Sequence, residues 1–341
     1  MNKDVIDRQV SGACDPDLRK LGVVVIGRNE GERLIRCLST LPIGAGIIVY
    51  VDSGSVDGSV VNANALGVTV VELDMRTPFT AARARNAGLS CAIQTVPGLR
   101  YVQFVDGDCE LHPQWVARAF AFLESRLDIA VVCGRLREKH PEASTYNMLC
   151  DVEWSAPAGE AKMCGGVALM RVDAVQQANG FNATLICGEE PELCSRLRAR
   201  EWRIWRLADE MGWHDASMMH FSQWWARSVR SGFSDAQAVF VDGAPPERRG
   251  LRASLRAWFW GGGVPLVSVL LSIFWAPIGL SLLLAYPLQV MRSALRGTRS
   301  SHDNWTHATF LMLAKFPELQ GQAKYLFQRL AGQKSQLIEH K

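Results

Sequence analysis

Residues 101–111 read Tyr-Val-Gln-Phe-Val-Asp-Gly-Asp-Cys-Glu-Leu. The run Tyr101–Val105 is short and largely apolar, as in a strand buried on both faces, and it leads straight into Asp106-Gly107-Asp108. Two carboxylates one residue apart at a strand end can converge on one hard cation, and Gly107 lets the backbone turn and a ligand approach. The same triplet also makes an ordinary acidic turn, because Asp and Gly are turn formers. Its surroundings decide between the two.

Upstream and downstream, apolar runs alternate with helical spacing. Strands are expected over 21–27 (LGVVVIG), 46–51 (GIIVYV), 68–73 (VTVVEL), 101–105 and 129–134 (IAVVCG). Helices are expected between them, over 30–41, 56–66, 80–94 and 113–126, the last with Pro113 in its first turn. This alternation predicts an α/β fold with a mostly parallel sheet flanked by helices, whose ligands bind beyond the carboxyl ends of the strands. Three loops therefore matter: 28–30, 52–59 and 106–110. In the second, Asp52 can accept a hydrogen bond from a nucleobase N–H or a ribose hydroxyl, and Ser55 or Asp57 can cap the helix that follows.

The chain has 341 residues, 48% of them hydrophobic and 21% charged, enough for one large domain with an appendage. A net charge of +3 is too small to indicate a nucleic-acid partner. Nine cysteines are scattered singly with no CxxC pair, a pattern of reduced cytosolic thiols and neither a disulfide framework nor a zinc site. The polar start, MNKDVIDRQVSGACDPD, has no apolar signal core, so the catalytic part is expected to face the cytoplasm.

VVVIGRNEGERLIRCLSTL, IIVYVDSGSVDGS, TAARARNAGL and YVQFVDGDCEL, in this order and at these separations, resemble the family 2 glycosyltransferases with a GT-A fold. The resemblance covers about residues 20–235. It implies that Arg28, Glu30, Asp52 and Asp57 serve a nucleotide-sugar donor (a UDP-, GDP- or dTDP-sugar). Arg85 and Asn86 would lie near that donor, Arg83 would be a further candidate by its charge, and Asp106 and Asp108 would coordinate Mg²⁺ or Mn²⁺. Residues 163–171 are similar to the family's glycine turn before a strand, placing Gly165 and Gly166 on the acceptor side. Residues 188–197, GEEPELCSRL, resemble the helix start that carries the family's general base. That base is usually an Asp; Glu190 stands at its position here, which leaves the role open between Glu189 and Glu190. An inverting transfer needs one carboxylate to take the acceptor's proton during attack on the anomeric carbon.

Later in the chain, His220 or His214 can supply a third metal ligand, and His220 is the favoured one. Trp224, beside Trp225, can stack on a sugar or pack into a core. Arg227 and Arg230 share a helix face at i, i+3 and can clamp a diphosphate or form a solvated basic face.

Near residue 243 the composition changes. Pro245 and Pro246 start a linker, Arg248, Arg249, Arg252 and Arg256 follow, and 257–291 contains no charged residue. With Arg292, Arg296 and Arg299 beyond it, the run has basic flanks on both sides, which a re-entrant segment or a two-short-helix hairpin satisfies better than one crossing. The segment 304–337 looks amphipathic, suited to a membrane surface or to packing on the catalytic domain. The expected organisation is a flexible N-terminus (1–20), a catalytic domain (21–243), a basic linker with an apolar membrane hairpin (244–303) and an amphipathic helical tail (304–341).

The function expected from the resemblance is metal-assisted transfer of one sugar to a lipid-linked or saccharide acceptor, such as a cell-envelope polysaccharide precursor, at the cytoplasmic face of the inner membrane. A sugar nucleotidyltransferase would carry a glycine-rich basic loop after its first strand, which Gly27-Arg28-Asn29-Glu30-Gly31 is not. A non-catalytic membrane scaffold would be expected to have lost the acidic pair, which is present.

Overall fold

The computed structural model describes residues 17–241 and 250–332. Most of the stretch expected to be flexible (1–16 of 1–20), the linker residues Pro245, Pro246, Arg248 and Arg249, and the end of the tail from 333 lie outside the described residues. Leu18–Lys20, within that N-terminal stretch, form a short 3-10 turn.

The described residues divide into two compact units. The first holds the described chain up to His140, together with Glu153–Thr184 and Glu189–Ala216. Its nine-stranded sheet comprises β1 (Leu21–Gly27), β2 (Ile47–Asp52), β3 (Thr69–Glu72), β4 (Tyr101–Asp106), β5 (Cys109–Leu111), β6 (Ile129–Glu138), β7 (Gly159–Ala161), β8 (Ala168–Arg171) and β9 (Arg203–His214). The order is β3-β2-β1-β4-β8-β6-β9-β5, with β7 added on β9. The first four strands are parallel, as the alternation predicts. Beyond β4 the sheet is mixed: β8 runs antiparallel to both β4 and β6, β6 and β9 are parallel, and β5 and β7 are antiparallel to β9.

Val23, Val24 and Val25 of β1 are fully buried, so the unbroken apolar run does mark a strand covered on both faces. The one polar side chain deep in β4, Gln103, is satisfied: it accepts from the Trp115 indole at 3.0 Å and donates to the Phe104 carbonyl at 2.8 Å. At the end of β8 the buried Arg171 donates to the carbonyls of Ile129, Leu123 and Arg126, joining sheet and helix ends.

Helices α1 (Glu32–Ser39), α2 (Ser59–Ala65), α3 (Ala81–Thr95) and α4 (Trp115–Ser125) occupy the expected places. The first two begin later than the apolar spacing implies. Asn29 and Gly31 have φ of 55° and 50°, and Gly58 has φ of 84°, so the chain is still turning there. The hydroxyl of Thr80 caps α3 by accepting from the Arg83 amide at 3.1 Å. Downstream are α5 (Thr145–Trp154), α6 (Val172–Gln177) and α7 (Glu189–Arg198).

The second unit comprises Pro141–Val152, Leu185–Gly188 and the described chain from Ser217. It therefore takes in residues well upstream of the composition change near 243. Its longest segments are α8 (Phe221–Val241) and an apolar helix, α9 (Leu251–Phe274). Beyond them come α10 (Ala276–Ser281), a 3-10 turn (Leu282–Leu284), α11 (Ala285–Ala294), α12 (Ser301–Leu313) and α13 (Lys315–Leu330). The apolar faces of α8 and α13 meet through Gly232 and Gly321: a Cβ on Gly232 would strike the Glu318 backbone, and one on Gly321 the Val229 carbonyl. Phe233 and Tyr325 pack edge to face beside that crossing at 5.1 Å. The tail thus packs on a helix of its own unit. Among the described residues, α9 is the one helix long and apolar enough to cross a membrane by length and composition.

Gly88 sets how closely α3 lies on the sheet, because a Cβ there would overlap the side chains of Val24 and Val51. In an open helix Gly→Ala gains about 1 kcal/mol. Here overpacking outweighs it, so Gly88→Ala is expected to destabilise the chain by about 1–3 kcal/mol. Thermal unfolding should show a lowered Tm, partly restored by adding Val24→Ala; an unchanged or raised Tm would contradict the close approach.

Candidate active site

The carboxyl ends of β1, β2 and β4 present their loops side by side. The first two loops are laced together. The Asn29 amide N–H donates to the Ser55 hydroxyl at 2.8 Å, the Asn29 side-chain oxygen accepts from Val56 N–H at 2.8 Å, and Gly31 N–H donates to the Ser59 hydroxyl. Asp52, buried at the end of β2, accepts from the Tyr50 hydroxyl (2.8 Å) and from the amides of Gly54 (2.9 Å) and Ser55 (2.8 Å). Three donors hold it in one orientation and shape the loop around it. Asp57 takes the Ser59 amide and hydroxyl and so starts α2. Burial opposes its ionisation, but hydrogen bonds from Ser59 and from the backbone of Asp57 and Gly31 together hold the carboxyl below its ordinary range. Arg28 lies over the Phe79 ring, and Glu30 pairs with Arg33 at 2.8 Å.

Arg85, on the buried face of α3, is the centre of the charge arrangement. Its side chain is 3% exposed, and its guanidinium reaches Glu189 at 2.6 Å, Glu190 at 2.9 Å and Asp106 at 2.9 Å. One cation thus joins the end of β4 to the start of α7, and Glu189 lies 104 residues beyond Arg85 in the sequence. Burial alone would favour a neutral Arg85, but Glu190, Asp106 and Glu189 together keep it charged. The neighbouring Asn86 turns to the Phe181 backbone, donating to its carbonyl at 2.7 Å and accepting from its amide at 2.9 Å. It secures the segment behind Arg85, and both ends of its amide are engaged. Gly166 lies against the same group, where a Cβ would collide with Asp106 and Arg85, whereas Gly165 faces open space.

Asp106 keeps 33% of its side chain exposed. Asp108 is nearly buried and faces His214, whose Nε2 is 3.4 Å from its Oδ2. Ligand atoms of Asp108, Cys109 and His214 all lie within 4.8 Å of one another, a spacing at which one ion can be shared. Carboxylate oxygen with imidazole nitrogen suits a borderline or hard divalent cation; Asp106, at the same loop, lies outside that group and pairs with Arg85. The donor set therefore fits a divalent metal. Behind His214, its Nδ1 is 3.9 Å from the buried Glu138, which accepts from the amides of His140 and Ala216, and the Trp154 ring packs edge-on.

Glu190 is the titratable group best matched to proton transfer near neutrality. Burial and the charge of Glu189 push its carboxyl up to about 7, against the opposing pull of Arg85. Its side chain is still 14% exposed, so a substrate can reach it. The buried Cys37 thiol beneath the site, which donates to the Asp106 carbonyl, is pushed up by burial and by the charges of Asp108, Asp106, Glu110 and Glu30. It is an inert structural group.

The remaining expected site residues belong to the second unit. His220 is exposed just before α8, its amide donating to Gln223. Trp224 is buried between Phe221, Trp225 and Phe310, with Phe310 edge-on at 5.0 Å. Arg230 donates to the Ile186 carbonyl at 3.4 Å, and Arg227 is half-buried one turn before it. The group that can share an ion therefore contains His214 and not His220. Glu138 and Cys109 carried no expectation. Cys109 adjoins the acidic pair and was legible by position, but Glu138 ends a strand that only pairing with β9 brings beside His214.

Residues 23–172 match the family described as Glycosyl transferase family 2. Glycosyltransferase AglE of Haloferax volcanii is 24% identical over 235 residues, covering 65% of this chain and 75% of that protein. Among solved structures, mannosyltransferase PcManGT from Pyrobaculum calidifontis, in complex with GDP-Man and Mn²⁺, aligns with a TM-score of 0.57 at 14% identity, over 95% of this chain and 93% of that one. S. aureus TarS 1–349 aligns with a TM-score of 0.50 at 14% identity, over 92% of each chain. At such identities the structural likeness is one of fold, and that fold is GT-A-like. Family match, curated relative and fold agree: the chain is a glycosyltransferase, and its residues 23–172 match the glycosyl transferase family 2 domain.

Proposed function

We propose that this glycosyltransferase transfers a sugar, with inversion, from a nucleotide-diphosphate sugar to a membrane-linked or polysaccharide-precursor acceptor, with Glu190 as general base. The observation that carries the reading is the buried Arg85 joining Asp106, on the donor side, to Glu189 and Glu190. The solved mannosyltransferase of similar fold, bound to GDP-Man and Mn²⁺, supports a nucleotide-sugar donor and a divalent cation.

Asp106, Asp108 and His214 would hold the cation, Mg²⁺ or Mn²⁺. When bound, it would neutralise the donor diphosphate and stabilise the leaving group as charge develops. The protein's own charges explain why it is needed. Asp106, Asp108, Glu189 and Glu190 oppose the single charge of Arg85, so the fully ionised cluster repels a diphosphate. Glu138 lies behind His214, 3.9 Å from its Nδ1, while Nε2 faces Asp108. The Asn29–Ser55 and Asp52 networks fix the loops that receive base and ribose. Gly165, which faces open space, would leave the acceptor room. Glu190 takes the proton of the acceptor hydroxyl as its oxygen attacks the anomeric carbon. Arg85 holds both Glu189 and Glu190 in place by ion pairs.

Glu190→Gln is expected to reduce transfer about 10²–10⁴-fold while donor binding, measured by calorimetry with Mn²⁺, persists. Glu189→Gln should act chiefly on stability. If Glu189→Gln alone abolished turnover in a folded chain, the base would be Glu189.

Because Glu190 holds its proton to about 7, its base form is populated above that value. The logarithm of kcat/KM should rise with pH through neutrality and level off above it. A flat profile from about pH 5.5 to 8.5 would contradict the assignment.

Asp108→Asn, with circular dichroism unchanged, is expected to weaken Mn²⁺-dependent donor hydrolysis by about 10–100-fold. Full metal-dependent hydrolysis in that variant would remove Asp108 from the metal site.

A further inference from the structure

The apolar segment of the second unit is a closed hairpin. Helix α9 ends at Trp275, whose backbone is extended, and α10 starts at once. The Ser268 hydroxyl donates to the Gly279 carbonyl at 2.6 Å, and a Cβ on Gly279 would meet Ser272, so the arms touch near the turn. Far from the turn, the Tyr286 hydroxyl donates to the Trp260 carbonyl. The two arms are therefore antiparallel, with Trp275 at the tip and both ends on one side.

The tip is apolar and exposed: Ile273, Phe274 and Trp275 are 72%, 87% and 62% exposed. The backbone groups of Trp275 are turned inward. Trp275 N–H donates to the Leu271 carbonyl, and the Trp275 carbonyl accepts from both Ile278 and Gly279. Pro277 has no N–H, and the hydroxyls of Ser268, Ser272 and Ser281 all donate to carbonyls within the hairpin. A turn lying in water or among headgroups has no need of this. A turn in hydrocarbon does, because an unsatisfied backbone group there costs several kcal/mol. The uncharged arms, 257–274 and 276–291, are about 27 and 24 Å long at helical rise, a little short of a hydrocarbon core of about 30 Å. At the base the charge is of one sign. Arg252, Arg256, Arg292 and Arg296 are exposed there, Trp258 stands beside Arg256, and no Asp or Glu occurs from 250 to 302.

We propose that this hairpin enters a bilayer and returns to the same face, with the Trp275 turn held in hydrocarbon and the four arginines forming a collar on anionic lipid headgroups. It deepens the membrane-acceptor reading of the enzyme, but it rests on the hairpin alone.

The test is flotation of the full-length chain with phosphatidylcholine vesicles, with and without phosphatidylglycerol, alongside donor hydrolysis in solution. The chain is expected to float with both and to bind anionic vesicles more tightly. Replacing all four collar arginines by Gln should weaken anionic binding by about 10²–10³-fold, at about 1 kcal/mol per arginine, and leave neutral binding unchanged. Trp275→Lys should weaken flotation with both kinds of vesicle, since the turn stops short of the far headgroups and a charge held in hydrocarbon is disfavoured. Unimpaired flotation of Trp275→Lys would place the turn at the far headgroups and overturn the same-face insertion. Equal affinity for neutral and anionic vesicles would overturn the collar. Concentration-dependent dimerisation without flotation would assign the apolar surface to a second copy of the chain. None of the hairpin variants should change donor hydrolysis, so loss of hydrolysis in the unmodified chain would count against the transfer reading alone.

Discussion

A buried guanidinium facing three carboxylates is the constraint around which the catalytic unit is arranged. Burying one ion costs several kcal/mol even after relaxation, and the Arg85 charge is retained only because Asp106, Glu189 and Glu190 all lie within hydrogen-bonding reach. The dependence is mutual, since without Arg85 those carboxylates would repel one another at the floor of the site. Meeting the condition requires α3 to lie close on the sheet. Gly88 stands one turn beyond Arg85 on the same buried face, and its missing side chain permits that approach to Val24 and Val51. A packing detail with no chemistry of its own thus positions the charge.

The same economy of space recurs at Gly166, where the backbone closes on Asp106 and Arg85 and no side chain could fit. Around this centre the polar groups fall into two kinds. Asp52, Asn29, Asp57 and Asn86 have their hydrogen bonds filled by loop backbone or loop hydroxyls, and they give the loops their shape. Asp106 and Glu190 both reach Arg85 and keep part of their side chains exposed, while Asp108 faces His214 at the same loop as Asp106, which is where binding and proton transfer can occur.

The second unit follows a different logic. Its helices α8 and α13 are brought together by glycines and locked by an aromatic cluster, while the hairpin from Leu251 to Ala294 leaves its large apolar side chains uncovered. Trp224 shows why residue type alone does not assign a role. A tryptophan suits a sugar face as well as a core, and here Phe221, Trp225 and Phe310 surround it.

The sequence by itself determined what depends on neighbours along the chain. Strand and helix alternate through 21–134 because buried strands and amphipathic helices leave different periods. The acidic pair falls at a strand end because Asp106-Gly107-Asp108 directly follows an apolar run. The charge-free stretch 257–291 between arginines was visible from composition alone. Even some boundaries were local in origin, though the positive φ at Asn29, Gly31 and Gly58 that delays α1 and α2 was not read from the spacing. Only the tertiary structure decided the mixed half of the sheet, the partners of Arg85, the nearness of His214 to Asp108 and the place of Glu138 behind it. Each of these rests on contacts between residues tens of positions apart or more. No periodicity or turn signal encodes such pairings, because they are set by how whole strands and helices bury their surfaces against one another.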